Sequence, residues 1–174
     1  MLTEDGKHLY MSSEEYDEQI EKLAIKIHQS GWYFDTILCL ARGGMRPGDV
    51  LSRIFRKPLA IISTSSYRAD GGTTRGKLDI AKYITTPQGH LAGQVLLVDD
   101  LADTGHTLQG VIDMLKLNYP AITELRTAVL WTKASSVFVP DYTVDHLSTN
   151  PWIHQPFEQY DQASMADLLA KWKA

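Results

Sequence analysis

The stretch VLLVDDLADTGHTL, Val95 to Leu108, decides how this chain is to be read. Four apolar residues run into two adjacent aspartates, a third acid follows at Asp103, and a Thr-Gly pair comes next. A short apolar run is the mark of a buried strand. Leu108, Val111, Ile112 and Leu115 then recur at helical spacing and stop before Pro120. The segment predicts a strand, an acidic turn and a helix.

The flanking sequence repeats that alternation. Ser12 and Glu15 have the spacing of a capping box, and Tyr16, Ile20, Leu23 and Ile27 predict a helix that Gly31 ends. TILCLA, Thr36 to Ala41, reads as a strand, and RGGMRPG as a turn. Pro47 suits the first turn of a helix, whose apolar face is Val50, Leu51, Ile54 and Phe55. Leu59 to Ser66 reads as a second strand. The glycine-rich, charged YRADGGTTRGK has no apolar periodicity and reads as a mobile loop, followed by a short strand through Ile80 and Tyr83, so that 66–85 form one loop or hairpin. Gln94 to Asp100 and Leu125 to Thr132 are the third and fourth strong strands, and YTVDHL is a weaker fifth. Met165, Leu168, Leu169 and Trp172 suggest a terminal helix. Strands alternating with helices predict a single α/β domain over 1–174, a mostly parallel twisted sheet flanked by helices. Ligands of such sheets bind beyond the carboxyl ends of the strands, and the three acids fall at one of those ends.

Composition narrows the function. With 174 residues, 44% hydrophobic and 22% charged, the chain can bury a substantial core. A net charge of −4 gives no general reason to expect nucleic acid as a partner. The single cysteine, Cys39, excludes an internal disulfide and sits in an apolar run, where it reads as a small core residue. The polar N-terminal segment carries no secretion signal or membrane span, so the cytoplasm is the expected location.

Two carboxylates side by side at a strand end repel each other, and folding alone does not select them. Asp99 and Asp100 become useful if they accept hydrogen bonds from a sugar diol, hold a magnesium ion, or both. Just beyond them, Gly105 permits a tight turn in which successive backbone N–H groups converge on an anion. Thr104 and Thr107 add hydroxyl donors, and the helix N-terminus adds a favourable dipole. One segment thus suits a diol and a phosphate together, as in a ribose 5-phosphate.

The same residues resemble the signature of type I phosphoribosyltransferases, which bind phosphoribosyl diphosphate (PRPP): a hydrophobic strand, two acids, two small or apolar residues, an acid, Thr-Gly, any residue and Thr. Further segments agree in the family's order, and together they cover roughly Trp32 to Glu158. LARGG resembles the turn that contacts pyrophosphate, which implies a role for Arg42 and Gly43 and a strained peptide between them. SSY resembles the start of a loop that closes over the site, implicating Ser66 and Tyr67, with Arg75 over the pyrophosphate. LWTKA resembles the segment whose lysine, here Lys133, donates to the oxo group of a 6-oxopurine. NPWIHQPFE is similar to the base-binding segment of bacterial xanthine-guanine phosphoribosyltransferases. By that resemblance 145–174 form a small hood and tail, Trp152 stacks on the base, and backbone carbonyls near Trp152 and Ile153 read its 2-substituent. His154 replaces the family's usual acid, which leaves the preferred base open, and 159–174 departs from the family pattern.

The resemblance implies transfer of a phosphoribosyl group to a purine in salvage, with release of pyrophosphate and magnesium as cofactor. Asp99 and Asp100 would hold the ribose diol directly or through the metal, and Thr104, Gly105, His106 and Thr107 the 5-phosphate. Asp103 would accept the ring proton of the purine. Family members are commonly dimers or tetramers, so a homo-oligomer is expected. Two rival readings keep the fold: a PRPP-dependent transferase for another base, and a nucleotide-sensing RNA-binding regulator, which would require a basic face. A phosphate-receiver domain also has paired aspartates after a strand, but near the chain start, whereas here two strand units precede them.

Overall fold

A computed structural model describes residues 1–66, 78–87 and 89–173. They form two compact units, one of Met1–Glu18 with Pro151–Ala174 and one of Gln19–Asn150. No helix among the described residues is long and apolar enough to cross a membrane.

The larger unit is built on a seven-stranded sheet. Its strands are β2 (Thr36–Ala41), β3 (Leu59–Ser66), β4 (Leu78–Ile80), β5 (Gly93–Val98), β6 (Leu101–Ala102), β7 (Ile122–Lys133) and β8 (Tyr142–Leu147). Strands β4, β3, β2, β5 and β7 lie side by side, and β6 and β8 both pair with β7. Every pairing is parallel except β3 with β4. The α/β reading with a mostly parallel sheet is borne out.

Alternation along the strands dresses both faces of this sheet. Leu38 and Leu40 of β2, Ala60 and Ile62 of β3, Val95 and Leu97 of β5 and Val129 of β7 share one buried cluster with Leu108, Val111, Ile112 and Leu115 of α3 (His106–Asn118). The intervening Cys39 lies against Gly48 of α2 (Met45–Phe55), where a methyl group on Gly48 would come within 2.6 Å of the cysteine Cβ. Cys39 is fully buried, and desolvation pushes its thiol up to about 11, which removes it from nucleophilic chemistry. Pro47 lies in the first turn of α2, as the sequence suggests.

The strand expected through Ile80 and Tyr83 is shorter. β4 ends at Ile80, and Tyr83 is exposed. The ladder with β3 runs out after Ala81 N–H donates to Ser63 O. The chain then bends and meets β3 again where Thr85 bridges Ile61, so Tyr83 lies outside the ladder.

The smaller unit holds β1 (His8–Tyr10) and β9 (Trp152–His154), which pair in parallel register, His8 opposite Trp152 and Tyr10 opposite His154. Helix α1 (Ser13–Gln29) starts in this unit and continues into the larger one. Its capping box is present: Ser12 N–H donates to Glu15 at 2.7 Å, and Glu15 N–H donates to Ser12 Oγ at 3.1 Å. Two helices close the chain, α4 (Gln159–Gln162) and the expected terminal helix α5 (Met165–Trp172), which has its own capping box between Ser164 and Asp167.

Candidate active site

Four segments implicated by the sequence leave the sheet at carboxyl ends of strands: Arg42 after β2, Ser66 at the end of β3, Asp99 and Asp100 after β5, and Lys133 closing β7. This is the edge at which open α/β sheets bind ligands. Tyr67 and Arg75 lie outside the described residues.

The acidic pair is pinned through its backbone. Asp99 N–H donates to Ala128 O at 3.1 Å, and Asp100 O accepts from both Leu130 and Trp131. β6 then resumes pairing with β7 and carries the chain to Asp103. Desolvation, and after it the Asp100 carboxylate, pushes Asp99 well above the usual carboxylate range. Asp100 packs on Gly43: a methyl group there would meet the Asp100 carboxylate, its Cγ at 2.7 Å. Gly43 thus brings the LARGG turn onto Asp100. The next residue is equally constrained, since a methyl on Gly44 would lie 2.9 Å from both backbone N and O of Leu40. One detail of the reading is corrected. The unusual peptide is the cis bond Ala41–Arg42, one residue before the expected Arg42–Gly43 bond. Its place depends on how the turn meets β2 and α2, and the residue types do not encode that.

The segment Asp103–Thr107 forms a hook, with a tight left-handed turn at Gly105. Gly105 has φ +80° and stands at the N-terminus of α3, which His106 begins. N–H groups in the first turn of a helix have no intrahelical acceptor and point outward. Thr104 and His106 are exposed and Thr107 is half-exposed. A cavity of about 80 Å³ is lined by residues including Asp99, Asp103, Thr104, Gly105 and Thr107, so the hook shares one concavity with Asp99 and Asp103. The hook is braced by 135–138, a segment the sequence reading did not single out. Ser135 Oγ donates to Asp103 O at 3.0 Å, Val137 N–H donates to Thr104 O at 3.1 Å, and Phe138 fills the space beside Gly105. Nothing in the residue types announces a contact across some thirty positions.

Lys133 and Asp103 meet directly. The lysine Nζ lies 3.3 Å from Asp103 Oδ1, with the lysine side chain only 9% exposed and the aspartate 53%. A buried ammonium requires such a partner. The two residues assigned by resemblance to one purine therefore converge on one point.

Trp152 and Ile153 belong to the smaller unit. Ile153 is buried, whereas Trp152 is 47% exposed on the opposite face of β9. Trp152 shares that face with His8, Tyr10 and His154, and a cavity of about 620 Å³ opens there.

These residues lie within a recognised domain. The family described as phosphoribosyl transferase domain matches residues 12–162. The chain belongs to that family. The phosphoribosyltransferase is 26% identical over 156 residues to the xanthine-guanine phosphoribosyltransferase of Idiomarina loihiensis, covering 89% of each chain. It is 34% identical to the purine phosphoribosyltransferase of Pyrococcus horikoshii, whose crystal structure superposes with a TM-score of 0.71 over 87% of this chain and 93% of that one. The fold is also shared with the Helicobacter pylori xanthine-guanine-hypoxanthine phosphoribosyltransferase, at 23% identity and TM-score 0.71, over 94% and 99% of the two chains. The type I resemblance is borne out, and the protein is a transferase enzyme.

The raised Asp99 carboxyl carries a stability consequence. With its folded-state value above the ordinary 3.8, the favourable contribution is complete below about pH 3.8 and is lost as pH rises through the raised value. Asp99→Asn is expected to melt with the native enzyme near pH 4 and above it at pH 8, because the neutral amide avoids the ionised form that burial and Asp100 disfavour. Thermal melts of the unliganded proteins from pH 4 to 8 check this, and coincident curves throughout would refute it.

Proposed function

We propose that this phosphoribosyltransferase transfers the 5-phosphoribosyl group of PRPP to a 6-oxopurine (guanine, xanthine or hypoxanthine) in purine salvage and releases pyrophosphate. The observation that carries the reading is the Lys133–Asp103 pair at 3.3 Å beside the braced hook. A 6-oxopurine offers an acceptor, the oxo group, next to an imidazole ring that carries a proton. A cationic donor beside a carboxylate acceptor matches that order. Adenine places a donor amino group where Lys133 also donates, so it is disfavoured.

Each implicated residue then has a task. Thr104, Gly105, His106 and Thr107 hold the 5-phosphate through backbone amides and hydroxyls. Asp99 and Asp100 accept from the ribose hydroxyls. Arg42 and Gly43 meet the pyrophosphate, as Ser66, Tyr67 and Arg75 do in the family pattern. Asp103, in the ion pair with Lys133, takes the ring proton of the base as the new bond forms at the anomeric carbon and the bond to pyrophosphate breaks. Trp152 supplies a stacking ring, and the backbone of Trp152 and Ile153 reads the 2-substituent.

Magnesium fits the acidic pair. Two adjacent carboxylates, one with its ionised form disfavoured by desolvation and by its neighbour, are relieved by a hard divalent cation. Among the described residues no group of three potential ligands converges, but magnesium is commonly held by one or two carboxylates together with substrate oxygens. When bound, it would supply Lewis-acid stabilisation of the departing pyrophosphate.

The test is a base panel. Purified enzyme with PRPP and magnesium is expected to release pyrophosphate with guanine, xanthine or hypoxanthine and far more slowly with adenine. No turnover with any 6-oxopurine would refute the assignment. Lys133→Ala is expected to lower the ratio of hypoxanthine to adenine kcat/KM at least about tenfold, the worth of one charge-assisted hydrogen bond. An unchanged ratio would remove Lys133 from base selection.

A further inference from the structure

In the smaller unit one carboxylate holds two rings. Glu158 accepts from the Trp152 indole Nε1–H through Oε1 at 2.6 Å, and its other oxygen, Oε2, lies 2.9 Å from Nδ1 of His154. Trp152 and His154 are two residues apart on β9, so their side chains share a face. Glu158 is itself fixed by its N–H, which donates to Gln155 O at 3.0 Å. The contacts continue through His154. Its Nε2 lies 2.9 Å from Nδ1 of His8, and its ring stacks on Tyr10 at 4.2 Å and 6°.

The carboxylate sets the donor and acceptor roles along this chain when His154 is neutral. An ionised carboxylate only accepts, so His154 Nδ1 carries a hydrogen. In a neutral His154, Nε2 then accepts from His8 Nδ1–H. Every nitrogen of the His154 ring is therefore engaged inside the unit. His154 is thus turned onto Glu158 and His8, on the face of β9 opposite the buried Ile153.

We propose that Glu158 is the positioning residue of Trp152: it fixes the indole orientation before a ligand arrives, and His154 and His8 fix Glu158. A half-exposed tryptophan on a three-residue strand has several rotamers open to it. A short charge-assisted bond from its one polar atom selects among them. The functional consequence rests on the reading of Trp152 as the ring that stacks on the base. Holding the ring in advance lowers the ordering cost of base binding without touching the chemical step.

The test is Glu158→Gln, which keeps the shape but leaves one acceptor oxygen for two ring N–H groups. The Trp152 indole resonance in a ¹H–¹⁵N spectrum, assigned with Trp152→Phe, is expected to move upfield in Glu158→Gln. In steady state, KM for the base is expected to rise about 3- to 10-fold, the scale of one side chain losing its pre-set orientation, with KM for PRPP and kcat little changed. Glu158→Gln added to Trp152→Phe is expected to cause no further loss, because the carboxylate acts through the indole. An unmoved resonance, or effects of the two substitutions that simply add, would overturn the positioning role. If the resonance moves but Trp152→Phe leaves KM for the base unchanged, the orienting contact stands, and it is the base-stacking reading of Trp152 that falls.

Discussion

Asp103→Asn is expected to lower kcat by about 10²–10⁴-fold, the usual worth of a positioned general base, while KM for PRPP stays within about threefold of the native value. The backbone at this position does structural work that the substitution preserves. Asp103 O still accepts from Ser135 Oγ, and Thr104 O from Val137 N–H, so the turn proposed to hold the phosphate keeps its braces. What disappears is the negative charge 3.3 Å from Lys133. Asparagine still offers a carbonyl oxygen to the ammonium, but its amide cannot take a ring proton. Pre-steady-state rates separate the two effects. Equal losses in PRPP affinity and in the chemical step would make Asp103 a structural cap and end its assignment as the base.

Gly105→Ala is expected to damage both stability and phosphate binding. At φ +80° an L-residue pays for the left-handed region, about 1–2 kcal/mol. The added methyl would also meet Cβ of Phe138 and lie 2.9 Å from its backbone nitrogen, and neither atom belongs to a flexible side-chain end. Either the hook or the 135–138 segment has to move. A loss of at least about 2 kcal/mol is expected, which lowers the melting midpoint by about 4–8 °C. Displacing the hook by even a fraction of an ångström is expected to raise KM for PRPP at least about tenfold. Gly31→Ala is the control: its φ is +69°, but nothing lies within 4 Å of the added methyl. It should cost stability only. If Gly105→Ala and Gly31→Ala behave alike, the contact with Phe138 contributes nothing to the site.

The fold was readable where signals are local and strong. Parallel strands such as Thr36–Ala41 and Gly93–Val98 carry short buried apolar runs, 37–40 and 95–98, and α1 and α3 carry both periodicity and punctuation. The acidic turn and hook were readable for the same reason, being one contiguous segment with definite chemistry. Three things were not. β1 and β9 are three residues each, too short for any period to show, and each is stabilised by the other across the chain. The brace from Ser135 to Phe138 acts through backbone atoms and packing, which residue identity does not encode. The arrangement of His154 could not be read because its partners, His8 and Glu158, lie on both sides of it at unrelated distances. The terminal helix shows the converse. Met165, Leu169 and Trp172 have the spacing of a packing face, yet all three are exposed.

The pairing of β1 with β9 has a consequence for biosynthesis. His8 and His154 are 146 residues apart, so β1 leaves the ribosome long before its partner exists. At about 5–20 residues per second it waits roughly seven to thirty seconds while the larger sheet is translated. Throughout that interval the nascent chain carries an unmatched strand edge and the uncovered rings of His8 and Tyr10, and translation stalled before Trp152 would leave them so.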